Sequence, residues 1–286
     1  MCTVVVSFAP DAPMPLLLLG VRDEFAGRPW LPPARHWPGS PLIGGRDEQA
    51  GGTWLAVHPA VPRVGCILNG RGEPAAPALR RTRGELPLRA AAEGQAVLRE
   101  LHEKPGALTS YDPFHLVCAD PTGALLLTWD GMTAALEDLP PGTHVLTNPG
   151  HLYPPPPIQA TAKATTNATS EAATAAPATA ATADTSASLK AARFGPKFAA
   201  HRPSGDPAAT IADAWGDWLK LADGDGLPVT DPAAIIVRKE LPDGRVWGST
   251  SVTLVALGTR APSTPALRYD FQPVPADATT WYSVQT

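Results

Sequence analysis

Short apolar runs broken by proline, glycine and aspartate fill the first half of the chain, and their length and alternation are those of strands. Thr3–Phe8 and Leu16–Val21 are separated by Pro10-Asp11-Ala12-Pro13, a hairpin-like break. Thr53–His58 and Arg63–Asn69 form a second pair around Pro59 and Pro62. Phe114–Ala119 and Leu125–Asp130 flank Asp120-Pro121-Thr122-Gly123, the clearest tight turn, and Thr143–Asn148 closes the half. One helix is predicted over about Leu86–Lys104, with Ala90, Val97, Leu98 and Leu101 on one face and a Pro105-Gly106 stop.

The pattern fails between residues 160 and 192, where 15 alanines and 8 threonines occur in 33 residues with almost nothing large and apolar. Alanine favours helix, but interleaved threonine opposes it and no apolar face is evident to dock one. With Pro154–Pro157 upstream and Gly195, Pro196, Pro203, Gly205 and Pro207 downstream, about 151–206 reads as a disordered insertion, with room for local frayed helix, in a single domain spanning 1–286. Beyond it, Asp206-Pro207 reads as a helix cap, and Ile211, Trp215, Trp218 and Leu219 share a helical face. Ala233–Lys239, Arg245–Leu257 and Leu267–Phe271 are predicted strands, with Pro242-Asp243-Gly244 as a hairpin turn. Two strand-rich segments, each with a packing helix, imply a layered α+β fold.

Composition narrows function by exclusion. The 286 residues carry a formal charge of −4, too mild to draw the chain to nucleic acid or anionic lipid. No apolar run approaches the roughly 20 residues of a membrane span, and no basic segment leads a secretory signal. Three cysteines form neither a disulfide framework nor a metal-ligand spacing, a usage that fits a reducing, cytoplasmic setting. Oligomeric state is not readable.

Candidate chemistry starts at Cys2. Either it opens a buried strand, or removal of Met1 leaves a thiol and an α-amine on one residue. That amine, with an ordinary pKa of about 7.7–8.0, can then serve as base for its own side chain. Arg22-Asp23-Glu24 follows an apolar strand, where a charged triplet either orients a reacting group or pairs at the surface. A second copy, Arg46-Asp47-Glu48, precedes Gly51-Gly52-Thr53-Trp54. Asn69 and Asn148 end strands, where an amide either starts a turn or donates to an oxyanion. His36, His58, His115 and His144 lack metal-site spacing, Cys66 and Cys118 lie in apolar strands, and no phosphate-binding glycine loop occurs.

Met1-Cys2-Thr3, Gly20-Val21-Arg22-Asp23-Glu24-Phe25, Arg28-Pro29, Gly45-Arg46-Asp47, Ala50-Gly51-Gly52-Thr53-Trp54-Leu55 and the strands ending at Asn69 and Asn148 together resemble the NRDE family. It is also called the transport and Golgi organisation protein two family. The resemblance runs in order over about 1–150; after 207, Trp247-Gly248-Ser249-Thr250 and Ser251–Val255 look like the family's carboxy-terminal strand. Val21 stands where the family signature has asparagine, and the Ala/Thr-rich stretch is not a feature of the resemblance.

That family is similar to N-terminal-nucleophile hydrolases, which implies a four-layer αββα sandwich of two antiparallel sheets between helices. The resemblance implies Cys2 as nucleophile with its amine as base, Arg22 and Asp23 orienting that amine and thiol, and Asn69 and Asn148 contacting an oxyanion or the amine. Two functions follow. One is hydrolysis of a small non-peptide amide, with no cofactor required. The other is a non-catalytic carrier or trafficking role for haem or another apolar ligand, with Trp30, Trp37 and Trp54 as aromatic walls and His or Cys as axial ligand.

Overall fold

Alternation along the first two strands sorts their side chains onto two faces. In β1 (Thr3–Phe8) and β2 (Leu16–Phe25), Val4, Val6, Phe8, Leu16 and Leu18 pack into one core, and Val5, Leu17, Leu19 and Val21 into another. Strands buried on both faces need a layer on each side. The computed structural model, which describes residues 2–154, 178–259, 267–274 and 281–286, supplies both.

The second sheet is a meander in sequence order: β3 (Trp30–Ala34), β4 (Ile43–Asp47), β5 (Leu55–His58), β6 (Arg63–Asn69), β7 (Phe114–Asp120), β8 (Gly123–Trp129) and β9 (Ala134–Leu139). The first sheet adds β10 (Gly142–Thr147), β11 (Gly150–Tyr153), β12 (Arg238–Glu240), β13 (Val246–Leu257), β14 (Leu267–Pro273) and β15 (Tyr282–Ser283), in the order β11-β10-β1-β2-β13-β14-β15 with β12 beside β13. All pairings are antiparallel. The inner faces meet through Val4, Leu16, Leu18, Leu55, Val64, Val117 and Val255. Helices α1 (Leu86–Glu93) and α2 (Gln95–Glu103) cover the second sheet through Leu86, Val97, Leu98 and Leu101. Helices α3 (Ala178–Ala200), α4 (Ile211–Trp215) and α5 (Asp217–Ala222) cover the first. The result is the αββα sandwich expected from the resemblance.

Several expectations need correction. The helix predicted over Leu86–Lys104 is broken at Gly94, whose φ of 87° no helix accommodates. Arg63 donates to the Ala91 and Ala92 carbonyls there and closes the end of α1. The later helix starts at Thr210, whose Oγ1 accepts from the Asp213 N–H, and not at Asp206-Pro207; it breaks again at Gly216. Of the predicted strand Ala233–Lys239 only the end is extended, because Asp231 folds the preceding residues into a turn through the Ala233 and Ala234 N–H groups. Edge strand β3 contains Pro32 and Pro33, which hid it in the sequence and which an edge tolerates.

The largest correction concerns 151–206. Residues 150–153 form β11, and 178–200, expected to be disordered, form α3. Ala187, Ala191, Phe194 and Phe198 are buried against the first sheet, with Phe198 edge-on to Trp218 at 5.0 Å. These positions recur at helical spacing and do constitute a docking face. The part of the stretch at 155–177 lies outside the described residues. No helix among the described residues is long and apolar enough to cross a membrane.

Candidate active site

The register of β1 fixes the neighbours of Cys2. Thr3 pairs with Val21 of β2 and with Thr147 of β10, so one step back sets Cys2 between Arg22 and Asn148. The Cys2 backbone N–H donates to Asn148 Oδ1 at 2.9 Å, and the Cys2 thiol lies 3.8 Å from the Asp23 carbonyl oxygen. Cys2 packs at the rim of the intersheet core, where burial pushes its thiol up from the ordinary value. The Asp23 charge adds to that rise, and Arg22 opposes it.

Arg22 is 5% exposed and faces the intersheet cleft. Its Nη1 donates to Thr250 Oγ1 at 2.9 Å, its Nη2 to Asp47 Oδ2 at 3.1 Å, and its guanidinium lies 4.6 Å from the Trp54 ring centre. Trp54 comes that close because it lies flat over Gly45, where a Cβ would sit 2.2 Å from the indole. Asp47 gathers Arg22, the Nε and Nη2 of Arg28 and the Ala50 N–H. Partial burial works to raise its carboxyl, but the Arg28 hydrogen bond, the Ala50 N–H and the two guanidinium charges outweigh that and hold it low.

Asp23 follows Arg22 and points the other way, toward the helix layer. Its Oδ1 accepts from Ser249 Oγ at 2.7 Å. A β-bulge makes both contacts compatible: Ser249 pairs with Asp23 and Ser251 with Arg22, leaving Thr250 as the extra residue that meets Arg22. Asn148 is held from behind. His115 Nε2 donates to the Asn148 carbonyl at 3.0 Å, while its Nδ1 accepts from Thr128 Oγ1 at 3.0 Å. Burial lowers the His115 pKa and keeps this neutral pattern.

A cavity of about 550 Å³ opens over Cys2. Arg22, Arg28, Trp54 and Asn69 contribute to its wall, and Arg80, Arg83 and Asp112 close the far side. Arg80 Nε lies 3.0 Å from Asp112, and Arg83 donates to the Pro113 carbonyl at 2.7 Å. Asn69, at the end of β6 in the opposite sheet, is exposed to this space, and its amide has no hydrogen-bond partner among the described residues.

The structure therefore brings together all five residues singled out from the sequence, with Asp23 contributing its carbonyl on the thiol side and its carboxylate on the other face. Trp54 lines the cavity and Trp30 stands edge-on to it at 5.8 Å, whereas Trp37 packs with Leu42 and Ala56 elsewhere. Of the histidines, His144 does find a partner: its Nδ1 is 3.1 Å from His151 Nε2, and His151 also meets Glu137. Asp47, Thr250, Arg83 and His115 were not singled out for this site. The second Arg-Asp-Glu triplet signals Asp47, and Thr250 belongs to the carboxy-terminal strand motif; Arg83 and His115 carry no local signal for this site.

A family model described as Transport and Golgi organisation 2 matches residues 1–193. No curated protein matches the sequence. Among solved structures, the chain is similar to a Caenorhabditis elegans N-acylethanolamine-hydrolyzing acid amidase ortholog at 11% identity and a TM-score of 0.28. That match covers 52% of this chain and 70% of the other.

Proposed function

The chain belongs to the Transport and Golgi organisation 2 family, and for it we propose thiol-dependent hydrolysis of a small non-peptide amide with Cys2 as nucleophile. The observation that carries this reading is the bond from Cys2 N to Asn148 Oδ1 beside the open cavity. Once Met1 is removed, the same nitrogen is an α-amine, already oriented by Asn148 and adjacent to the thiol. Because burial raises the thiol pKa, a local base is needed to ionise it, and the amine is the nearest one.

In this mechanism the amine takes the thiol proton as Sγ attacks the amide carbon. The carbonyl oxygen, now anionic, meets the free Asn69 amide across the cleft. The C–N bond breaks as the ammonium returns its proton to the leaving nitrogen, leaving a thioester on Cys2. Water, deprotonated by the same amine, hydrolyses the thioester to a carboxylic acid and restores the thiol. Arg22 touches no reacting bond in this scheme; it fixes the strand end and adds positive charge beside the thiolate.

Carriage of haem or another apolar ligand is less well supported. Arginines and carboxylates dominate the cavity wall, and no histidine among the described residues lines it.

The test is a panel of small amides assayed with wild type and Cys2→Ala, alongside the intact mass. Turnover lost by several orders of magnitude in the variant, on protein lacking Met1, supports the reading. Retention of Met1, or equal turnover by Cys2→Ala, overturns it.

A further inference from the structure

Of the five arginines around the cavity, four are already matched to carboxylates. Asp47 takes Arg22 and Arg28, Asp112 takes Arg80 at 3.0 Å, and Arg81 meets Glu85 at 2.7 Å. Arg83 differs. Its Nη1 donates to the neutral Pro113 carbonyl, its Nε and Nη2 make no hydrogen bond among the described residues, and no described carboxylate lies within 4.0 Å of it. The remaining carboxylates of the wall are turned elsewhere: Glu24 accepts from the Phe25 N–H and sits 3.8 Å from Arg28, and Asp23 accepts from Ser249 behind the sheet. Burial lowers the Arg83 pKa, and Asp112 and then the Cys2 thiol oppose that.

The segment that carries Arg83 is fixed before any ligand arrives. The Thr53 N–H donates to the Gly84 carbonyl at 2.9 Å, and Gly52 packs so closely that a Cβ there would lie 2.5 Å from the Gly84 carbonyl carbon. The Arg81 N–H donates to the Ser110 carbonyl at 2.8 Å. A guanidinium held this way presents a rigid fork, which a planar carboxylate meets with two parallel bonds.

We infer that Arg83 binds a carboxylate of the substrate, so that the amide opened at Cys2 belongs to a molecule carrying a free carboxylate elsewhere. The inference deepens the proposed hydrolysis by naming its substrate class, and it rests on that reading. One uncompensated guanidinium matches a singly charged carboxylate; a phosphate dianion would need a second. The α-amine left by removal of Met1 adds positive charge at the Cys2 end when protonated, which draws any anion alike. It must be neutral to take the thiol proton, so in the reacting state the counter-charge is Arg83. The cavity that both residues line, about 550 Å³, is of the size of small-molecule sites.

Binding is read as protection of Cys2 from iodoacetamide, an uncharged reagent, on the full-length protein at constant ionic strength, with peptide mapping to follow Cys2 alone. The probes are the monoamides of succinate, glutarate and adipate, each against its neutral diamide, and inorganic phosphate. In wild type at least one monoamide should protect at a roughly tenfold lower concentration than its diamide, the gain from one charge-assisted pair. Arg83→Gln, which can still donate to Pro113, should bring that ratio close to one; Arg83→Met should do the same and serves if Arg83→Gln does not fold. Arg35→Met, at an exposed arginine outside the cavity, should keep the wild-type ratio. Equal protection by every monoamide and its diamide in wild type, a ratio that survives loss of the Arg83 charge, or protection by phosphate alone would each overturn the inference. Selective protection without turnover of any amide would instead count against the hydrolysis and leave the Arg83 subsite standing.

Discussion

Arg22 and Asp23 are consecutive in the chain and serve opposite faces of one sheet. Arg22 reaches Asp47, Thr250 and Trp54 in the cleft, while Asp23 reaches Ser249 under the helices. A strand end with charge on both faces, each met by its own partners, separates two tasks that the sequence motif runs together. The cavity face carries a guanidinium into the cleft; the helix face carries a carboxylate beneath the strand that follows Cys2.

The two asparagines should separate in the same way. Asn69→Ala should lower amide turnover by roughly 10²–10³, the cost of one oxyanion donor, and leave the rate of Cys2 alkylation unchanged. Asn148→Ala removes the acceptor of the Cys2 nitrogen and should alter both. Equal effects of the two variants on alkylation would contradict this division, and the two assays on the same preparations decide it.

Asp47→Ala should destabilise the protein by about 3–5 kcal/mol, because it leaves Arg22 buried without its carboxylate. Arg28, about a quarter exposed, turns to water and contributes little of that loss. Urea unfolding followed by tryptophan fluorescence measures it. A change under about 1 kcal/mol would mean that Thr250 and the Trp54 ring suffice for Arg22.

Acid should destabilise the fold in two steps. His115 and His144 have lowered pKa values in the fold, chiefly through burial, so the unfolded chain takes up protons that the folded one refuses. Stability is therefore lost as the pH falls below about 6.5, the unfolded imidazole value. Asp47 is held below the usual carboxylate range, so its contribution is present above about pH 4 and is lost as the pH drops through its folded value. Denaturation midpoints from pH 8 to 3 test both; a flat curve between pH 7 and 5 would exclude the histidine step.

Phe198→Ala should cost about 3–5 kcal/mol, since the ring is fully buried against Trp218 and Phe194. Denaturant titration gives the value. A loss below about 0.5 kcal/mol, the effect of a surface change, would show that α3 does not dock.

Much of this was legible in advance. Thr3–Phe8 and Arg63–Asn69 stand at their expected bounds, because paired apolar runs around proline breaks leave few alternatives. The helix α3 was not legible, because alanine and threonine dilute its apolar positions; Phe194 and Phe198, one turn apart, were the available signal. The contacts of Thr250 and His115 were not legible for another reason: each acts on a residue distant in sequence, and only the pairing of β13 with β2 and the turn after β10 bring them there.

The bulge at Thr250 gives the carboxy-terminal strand an odd residue count against β2. Residues before it and after it are thus indexed to β2 by offsets that differ by one, and deleting Thr250 alone would merge the two into one continuous register. Ser249 would still face Asp23 and Ser251 would still face Arg22, but the hydroxyl that Arg22 meets at 2.9 Å would be gone and the strand would lose its local kink. A single-codon deletion here therefore takes a partner of Arg22 out of the cleft and leaves the core pairing of Ser251–Leu257 in place. The extra residue is thus a device of the cleft and not of the core: a chain built on this plan without it would keep the sheet and lose the contact with Arg22.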